Sequence, residues 1–184
     1  MGSKTLGELC AFKAGSAFPT TYQGEARGDY PFIKVRDMNS AANGRYIYEA
    51  INWVSSEVAS ELKVKIQPTN AVVFAKIGEA LKANRMRQLT RPTIIDNNMM
   101  AAIPGVDTDP DYLYYLLVSI DLANWADGTA LPYFKAKTLA SIEVDDPGPI
   151  EQQRRVISIL KRLDNKIELN TRLNGYLDKV AALI

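Results

Sequence analysis

The sequence predicts an α+β fold: a single mixed α/β domain over residues 1–148, then one long C-terminal coiled-coil helix over 149–184. Three observations carry this. Short apolar runs of strand length are interleaved with helix-start and turn signals as far as Asp146. Pro147-Gly148-Pro149 then breaks the chain. Beyond it one helical pattern runs unbroken, through Ile150, Val156, Leu160, Leu163, Ile167, Asn170, Asn174, Leu177, Val180 or Ala181, and Ile184. Steps of three, four and six or seven residues are those of a coiled-coil seam. Roughly 35 residues at about 1.5 Å each make a rod of about 50 Å. That is longer than one domain needs to cover its own core, so such a rod sets spacing or joins partners.

The elements follow in order. Thr5 and Glu8 are spaced as a capping box over a short turn. Gly15 to Gly28 is a loop rich in Gly, Ser, Thr and Pro, and Phe32 to Arg36 alternates as a strand. Asp37 to Arg45 holds Asn39, Ser40, Asn43 and Gly44 and predicts a turn region. Ser55-Ser56 precedes an amphipathic helix with Val58, Leu62 and Ile66 four residues apart, ended by Pro68. Ala71 to Ala75 is continuously apolar and predicts a buried strand, followed by a basic loop. Thr93 to Asp96 and Asn98 to Ile103 predict paired strands or one bent strand. Asp109-Pro110-Asp111 starts a helix that runs from Tyr112 to about Leu122. Gly128-Thr129 is a turn, and Leu139 to Val144 predicts the last strand.

Composition excludes several function classes. Hydrophobic residues are 47% and charged residues 23%, as in a folded globular protein. No apolar window reaches the length of a membrane span, and Met1-Gly2-Ser3 reads as a cloning scar rather than the start of a signal peptide. The single Cys10 forms no internal disulfide and suits a reducing cytoplasm. The chain has no histidine, which removes the usual general base, Ser-His and Cys-His catalysis, and the commonest zinc ligand. No phosphate-cradling glycine loop is present. Neither a cofactor nor a metal is expected.

Net charge is only +1, but its distribution is uneven. Lys76, Lys82, Arg85, Arg87 and Arg91 face only Glu79, and Asn84 and Gln88 lie among them. Such residues neutralise phosphates and grip base edges, Arg on guanine and Asn or Gln on adenine. A solvated charged face is the competing reading. Tyr133, Lys135 and Lys137 form a second candidate cluster, with Phe134 assigned to the core. Lys34, Arg36 and Arg45 lie near turns that could join the same face. On the long helix, Asn170 and Asn174 stand where the seam calls for apolar residues. They either fix register, as a buried Asn does, or mark an exposed stretch.

The residues resemble a known family. Leu6-Gly7-Glu8-Leu9, Gly15, Pro19 and Tyr30 to Met38 are similar to the opening of a target recognition domain. The more specific match is the close: Leu139-Ala140-Ser141-Ile142, the proline-rich break, Ile150-Glu151, Gln153-Arg154-Arg155-Val156-Ile157, and Leu163-Asp164 with Lys166-Ile167. These resemble the specificity subunits of Type I restriction-modification systems. The resemblance implies a cytoplasmic, non-catalytic module that reads one half of a bipartite double-stranded DNA site and docks methyltransferase subunits. Family members typically carry two recognition domains separated by two antiparallel helices. One domain and one helix therefore look like half a subunit, which either dimerises through Val156, Leu160, Leu163, Ile167, Asn170, Asn174 and Leu177 or was cut before a second domain. The apolar Ile184 at the end favours the cut.

Two rivals stay open. One is a structural adaptor acting through its coiled-coil helix without binding DNA. The other is a nuclease or methyltransferase; Asp107, Asp109 and Asp111 are clustered carboxylates, but they read better as a helix-start loop.

Overall fold

A computed structural model describes residues 2–40, 43–128 and 130–181. The Thr129 half of the expected turn and the seam position at Ile184 lie outside the described residues. The chain opens with β1 (Ser3–Thr5), α1 (Leu6–Leu9) and β2 (Cys10–Ala14). The capping box forms, with the Thr5 amide donating to Glu8 Oε2 at 2.7 Å. Then come β3 (Tyr30–Ile33), β4 (Tyr46–Ile47), β5 (Asn52–Val54), α2 (Ser56–Glu61), β6 (Ile66–Gln67) and β7 (Val72–Ala75). The second half holds α3 (Glu79–Lys82), β8 (Met86–Leu89), β9 (Thr93–Ile95), β10 (Met99–Pro104), α4 (Pro110–Ser119), α5 (Ala136–Ala140), β11 (Glu143–Asp145) and α6 (Ile150–Ala181).

The strands build two main sheets. One has the order β2-β10-β7-β8-β4, the other β5-β3-β9-β6. Both are mixed, since β4–β8 and β3–β9 pair in parallel and their other ladders are antiparallel. A two-stranded ribbon, β1 with β11, ties the N-terminus to the segment before α6. Alternate residues of each strand point to opposite faces. Val72 and Phe74 therefore pack with Leu6, Leu113, Leu117 and Leu139, while Val73 packs with Ile33, Ile95 and Met99. Phe32 and Ile94, on the far face of the second sheet, meet Phe18, Val54 and Ala59. The body is thus four layers: helices α1, α4 and α5; the five-stranded sheet; the four-stranded sheet; and α2 with the Phe18 loop.

Several expected elements differ. The strand expected over Phe32 to Arg36 ends at Ile33, because the Lys34 amide donates to Asp37 Oδ2 at 2.8 Å and turns the chain. The helix expected to reach Ile66 ends at Glu61, and Ile66 pairs with Ile94 in β6. The basic stretch is not a loop, since it contains α3 and β8. The segments 93–96 and 98–103 do not pair with each other; β9 and β10 belong to different sheets. The helix expected to run to Leu122 ends at Ser119. The last strand is shorter than expected: Leu139 lies in α5 and only Glu143–Asp145 is extended. Leu139 and Ile142 are three apart and both buried in the same core, a helical spacing that the strand reading overlooked.

Candidate nucleic-acid interface

The ends of β2, β3, β7 and β9 gather at one end of the stacked sheets. The Lys76 amide bonds to Asn98 O at 2.8 Å, Gly15 to Met99 O at 3.1 Å, Ser16 to Ile95 O at 3.0 Å, and Asp96 to Ile33 O at 3.0 Å. The loop after α4 joins them: Phe134 bonds to Lys76 O at 2.9 Å, and Gly78 to Pro132 O at 2.8 Å. Three of the sequence candidates' regions therefore converge here, the Lys34–Arg36 turn, the Lys76–Arg85 segment and Tyr133–Lys135. Phe134 is buried, as expected from its sequence. Loops held by a rigid sheet in this way are where binding residues concentrate.

The cations at this end divide by whether they have partners. Among the described residues, Arg36, Lys76, Arg85 and Lys137 make no side-chain hydrogen bond or ion pair. Lys34 donates to Gln23 Oε1, Lys82 pairs with Glu79 at 2.8 Å, and Lys135 pairs with Asp127 at 3.4 Å. Lys135 also lies 5.5 Å from the centre of the half-exposed Tyr133 ring. The Asp127 carboxylate beside it is the main reason that this ammonium titrates above its usual range. An unpartnered cation breaks no existing bond on meeting an anion, so the unpaired set is the better candidate for phosphates and bases.

Four candidates offer no free side chain at this end. Gln88 is buried, with its amide oxygen accepting from Arg45 at 3.1 Å, so it presents nothing at the surface. Asn84 has a positive φ of 44° and donates to Ile120 O at 2.8 Å, holding the turn after α3. Arg87 is half-buried and donates to Met86 O at 2.8 Å; burial lowers its affinity for a proton. Arg91 is exposed but stacks 5.7 Å over Trp53. It lies at the opposite end of the sheet from Lys76, because β8 runs antiparallel to β7 with Phe74 opposite Met86 and Val72 opposite Gln88. The basic run is therefore not one face.

A second constellation fixes α6 to the body. Arg45 sits at its centre, donating to Tyr115 Oη at 3.0 Å, to Gln88 Oε1 and to Asp111 Oδ1. Its guanidinium also lies 4.9, 4.6 and 4.7 Å from the rings of Tyr46, Tyr114 and Tyr115. Asp111 accepts from Lys161 of α6, and Tyr115 donates to Asp164 of α6 at 2.7 Å. Burial, then that bond to Asp164, pushes the Tyr115 phenol up. Further back along α6, buried Gln153 accepts from the Asp109 amide at 2.8 Å and donates to Asp107 O at 2.9 Å and Gly148 O at 3.0 Å. Arg154 pairs with Asp109 at 3.1 Å. Asp109 caps α4 and Asp111 is held by two cations, so these carboxylates are structural.

Sequence reading missed this clamp. Arg45 counted only as a cation near a turn, and Gln153 only as part of a motif. Gln153, Ile157, Lys161 and Asp164 are spaced at four, four and three, which marks a second helical face beside the seam. Ile157 is buried against the body, whereas Val156, Leu160, Leu163, Ile167 and Leu177 are each 43–64% exposed. Asn170 and Asn174 are exposed in line with them.

A family model for the Type I restriction modification DNA specificity domain matches residues 1–178. The chain is 27% identical over 191 residues to the Type I restriction enzyme MjaIX specificity subunit of Methanocaldococcus jannaschii, covering 97% of this chain and 40% of that protein. It is 24% identical over 169 residues to the HindI specificity subunit of Haemophilus influenzae, covering 83% and 34%. The chain thus spans about two-fifths of the length of these relatives or less. Among solved structures, it superposes on a chain from work on complex assembly and conformational transition of the type I R-M system with a TM-score of 0.70, at 17% identity and covering 94% of this chain and 40% of that one. It superposes on the Type-I restriction-modification S subunit from M. genitalium with a TM-score of 0.63, at 15% identity and covering 94% and 41%. These likenesses show the fold, and the match over residues 1–178 shows the family: the chain belongs to the Type I restriction-modification DNA specificity domains.

Proposed function

We propose that this chain reads one half of a bipartite double-stranded DNA target in a cytoplasmic Type I restriction-modification complex, and docks methyltransferase subunits without catalysing a reaction itself. The observation that carries this is the convergence of Arg36, Lys76 and Arg85, all without a side-chain partner among the described residues, on one end of the sheets. Tyr133, Lys135 and Lys137 extend that surface. Residues 1–148 form the reading domain and 149–184 the spacer. The exposed seam Val156, Leu160, Leu163, Ile167 and Leu177 packs against a second helix, from another copy of this chain or from a second recognition domain. Asn170 and Asn174 set the register of that pair; replacing both with Leu changes the association or its geometry, and an unaltered assembly removes them from that role.

An adaptor that binds no DNA explains the seam but leaves the unpaired cations without a purpose. Selection from a random duplex pool by the chain assembled with methyltransferase subunits separates the two. One enriched short sequence supports DNA reading. An unenriched pool supports the adaptor.

A further inference from the structure

We propose that a small pocket between the Val35–Asn39 turn and α3 is a base-reading point, which seats the C5-methyl group of a thymine while Arg85 grips the adjoining guanine. This rests on the DNA-reading function proposed above. The pocket has a volume of about 110 Å³, with Val35, Met38, Ala75 and Ala80 forming an apolar wall and Asn39 and Arg85 adding polar groups. Sites for cofactors and drug-sized ligands run to roughly 300–1,000 Å³, so this one fits a methyl group or a base edge and little more. Apolar contact with the thymine methyl and a forked Arg contact to guanine O6 and N7 are both major-groove readings.

The pocket is built to hold its shape. Asp37, 2% exposed, accepts from the amides of Lys34 at 2.8 Å and Ile51 at 3.2 Å. Asn43, equally buried, donates to Asp37 O at 2.9 Å and Glu49 O at 2.8 Å. On the other side Asn84 is pinned to Ile120 O, immediately before Arg85. Met38 and Ala75 are buried, so the wall is part of the core. The backbone on both sides is thus fixed, while the side chains of Asn39 and Arg85 are exposed and have no described partner. Fixed backbone supports suit recognition, because only the freedom of the side-chain tips is lost on binding. Arg36 and Lys76 flank the same pocket in sequence and supply positive charge for the adjoining phosphates.

The test uses the chain assembled with methyltransferase subunits, on the duplex selected from a random pool. Arg85→Ala is expected to lower discrimination at one guanine by roughly 5- to 150-fold. Arg85→Lys keeps the charge but not the fork. It is expected to lose the same discrimination while retaining the salt dependence of binding. Replacing the thymine beside that guanine with deoxyuridine, which lacks the methyl group, is expected to weaken binding several-fold. Uniform weakening of every sequence by Arg85→Ala, with the preference intact, assigns Arg85 to a phosphate and overturns the proposal while leaving DNA reading standing. Indifference to deoxyuridine at every thymine likewise overturns the methyl pocket. A wild-type complex that enriches no sequence overturns the DNA-reading function itself.

Discussion

Replacing Asp111 with Ala tests how the reading domain is locked to its helix. The Arg45 side chain is 8% exposed and Asp111 16%, whereas Lys161, the other cation on Asp111, is 44% exposed. Removing Asp111 leaves Arg45 charged, out of water and without its counter-ion, which costs about 3–5 kcal/mol for a buried pair. Removing Lys161 takes away a partner that water largely replaces, at a cost of under about 1 kcal/mol. A domain of this size loses about 2–4 °C of Tm per kcal/mol, so Asp111→Ala is expected to lower Tm by about 6–20 °C and Lys161→Ala by at most about 4 °C. Thermal unfolding followed by circular dichroism reads both. The double replacement Arg45→Met with Asp111→Leu removes both charges, and is expected to recover much of the loss from Asp111→Ala. Equal shifts for Asp111→Ala and Lys161→Ala, or a double variant that shows the full sum of its single losses, refutes the assignment of Arg45–Asp111 as the buried centre of the clamp.

Gln153→Leu leaves the Asp109 amide and two carbonyls without the partners they have now. It is expected to cost about 1–3 kcal/mol and to speed proteolysis at the 146–150 junction; unchanged cleavage contradicts that role. Burial pushes the Cys10 thiol up to about 12, because the thiolate is the form that burial disfavours. Cys10 is therefore expected to resist alkylation at pH 8 in the folded chain and to react in denaturant, and equal rates contradict its burial. A Cβ at Gly15 meets Asp96 O at 2.0 Å, backbone that cannot swing aside. Gly15→Ala is expected to lower Tm, and an unchanged Tm contradicts that close approach.

Much of the fold was legible where one period ran long enough to be read. The 32 residues of α6 repeat their seam many times, and Val72–Ala75 is apolar on both faces because it lies between two cores. Strands of two or three residues, such as β1, β4 and β5, show no period and were missed. Cys10–Ala14 did alternate, buried and exposed, and could have been found. The site was legible only as a charge pattern. Whether a cation is free depends on partners far along the chain: Arg45 meets Asp111 across 66 positions, and Gln88 is hidden by the same guanidinium. Charge counting therefore grouped Arg87, Gln88 and Arg91 with Lys76 and Arg85, although one strand carries them away to the other end of the sheet. Likewise the seam was visible in α6, but the face that grips the body was not, because its contacts are mostly polar.

The most direct measurement is the salt dependence of DNA binding by the chain assembled with methyltransferase subunits, compared with a variant carrying Arg36, Lys76 and Arg85 all as Ala. If the unpaired cations face DNA, with Arg36 and Lys76 on phosphates and Arg85 on a base, the slope of log K against log salt becomes shallower by up to about 1.8, roughly 0.9 for each phosphate that is no longer neutralised. A slope equal to that of the unaltered chain contradicts the placement of DNA at this end of the sheets.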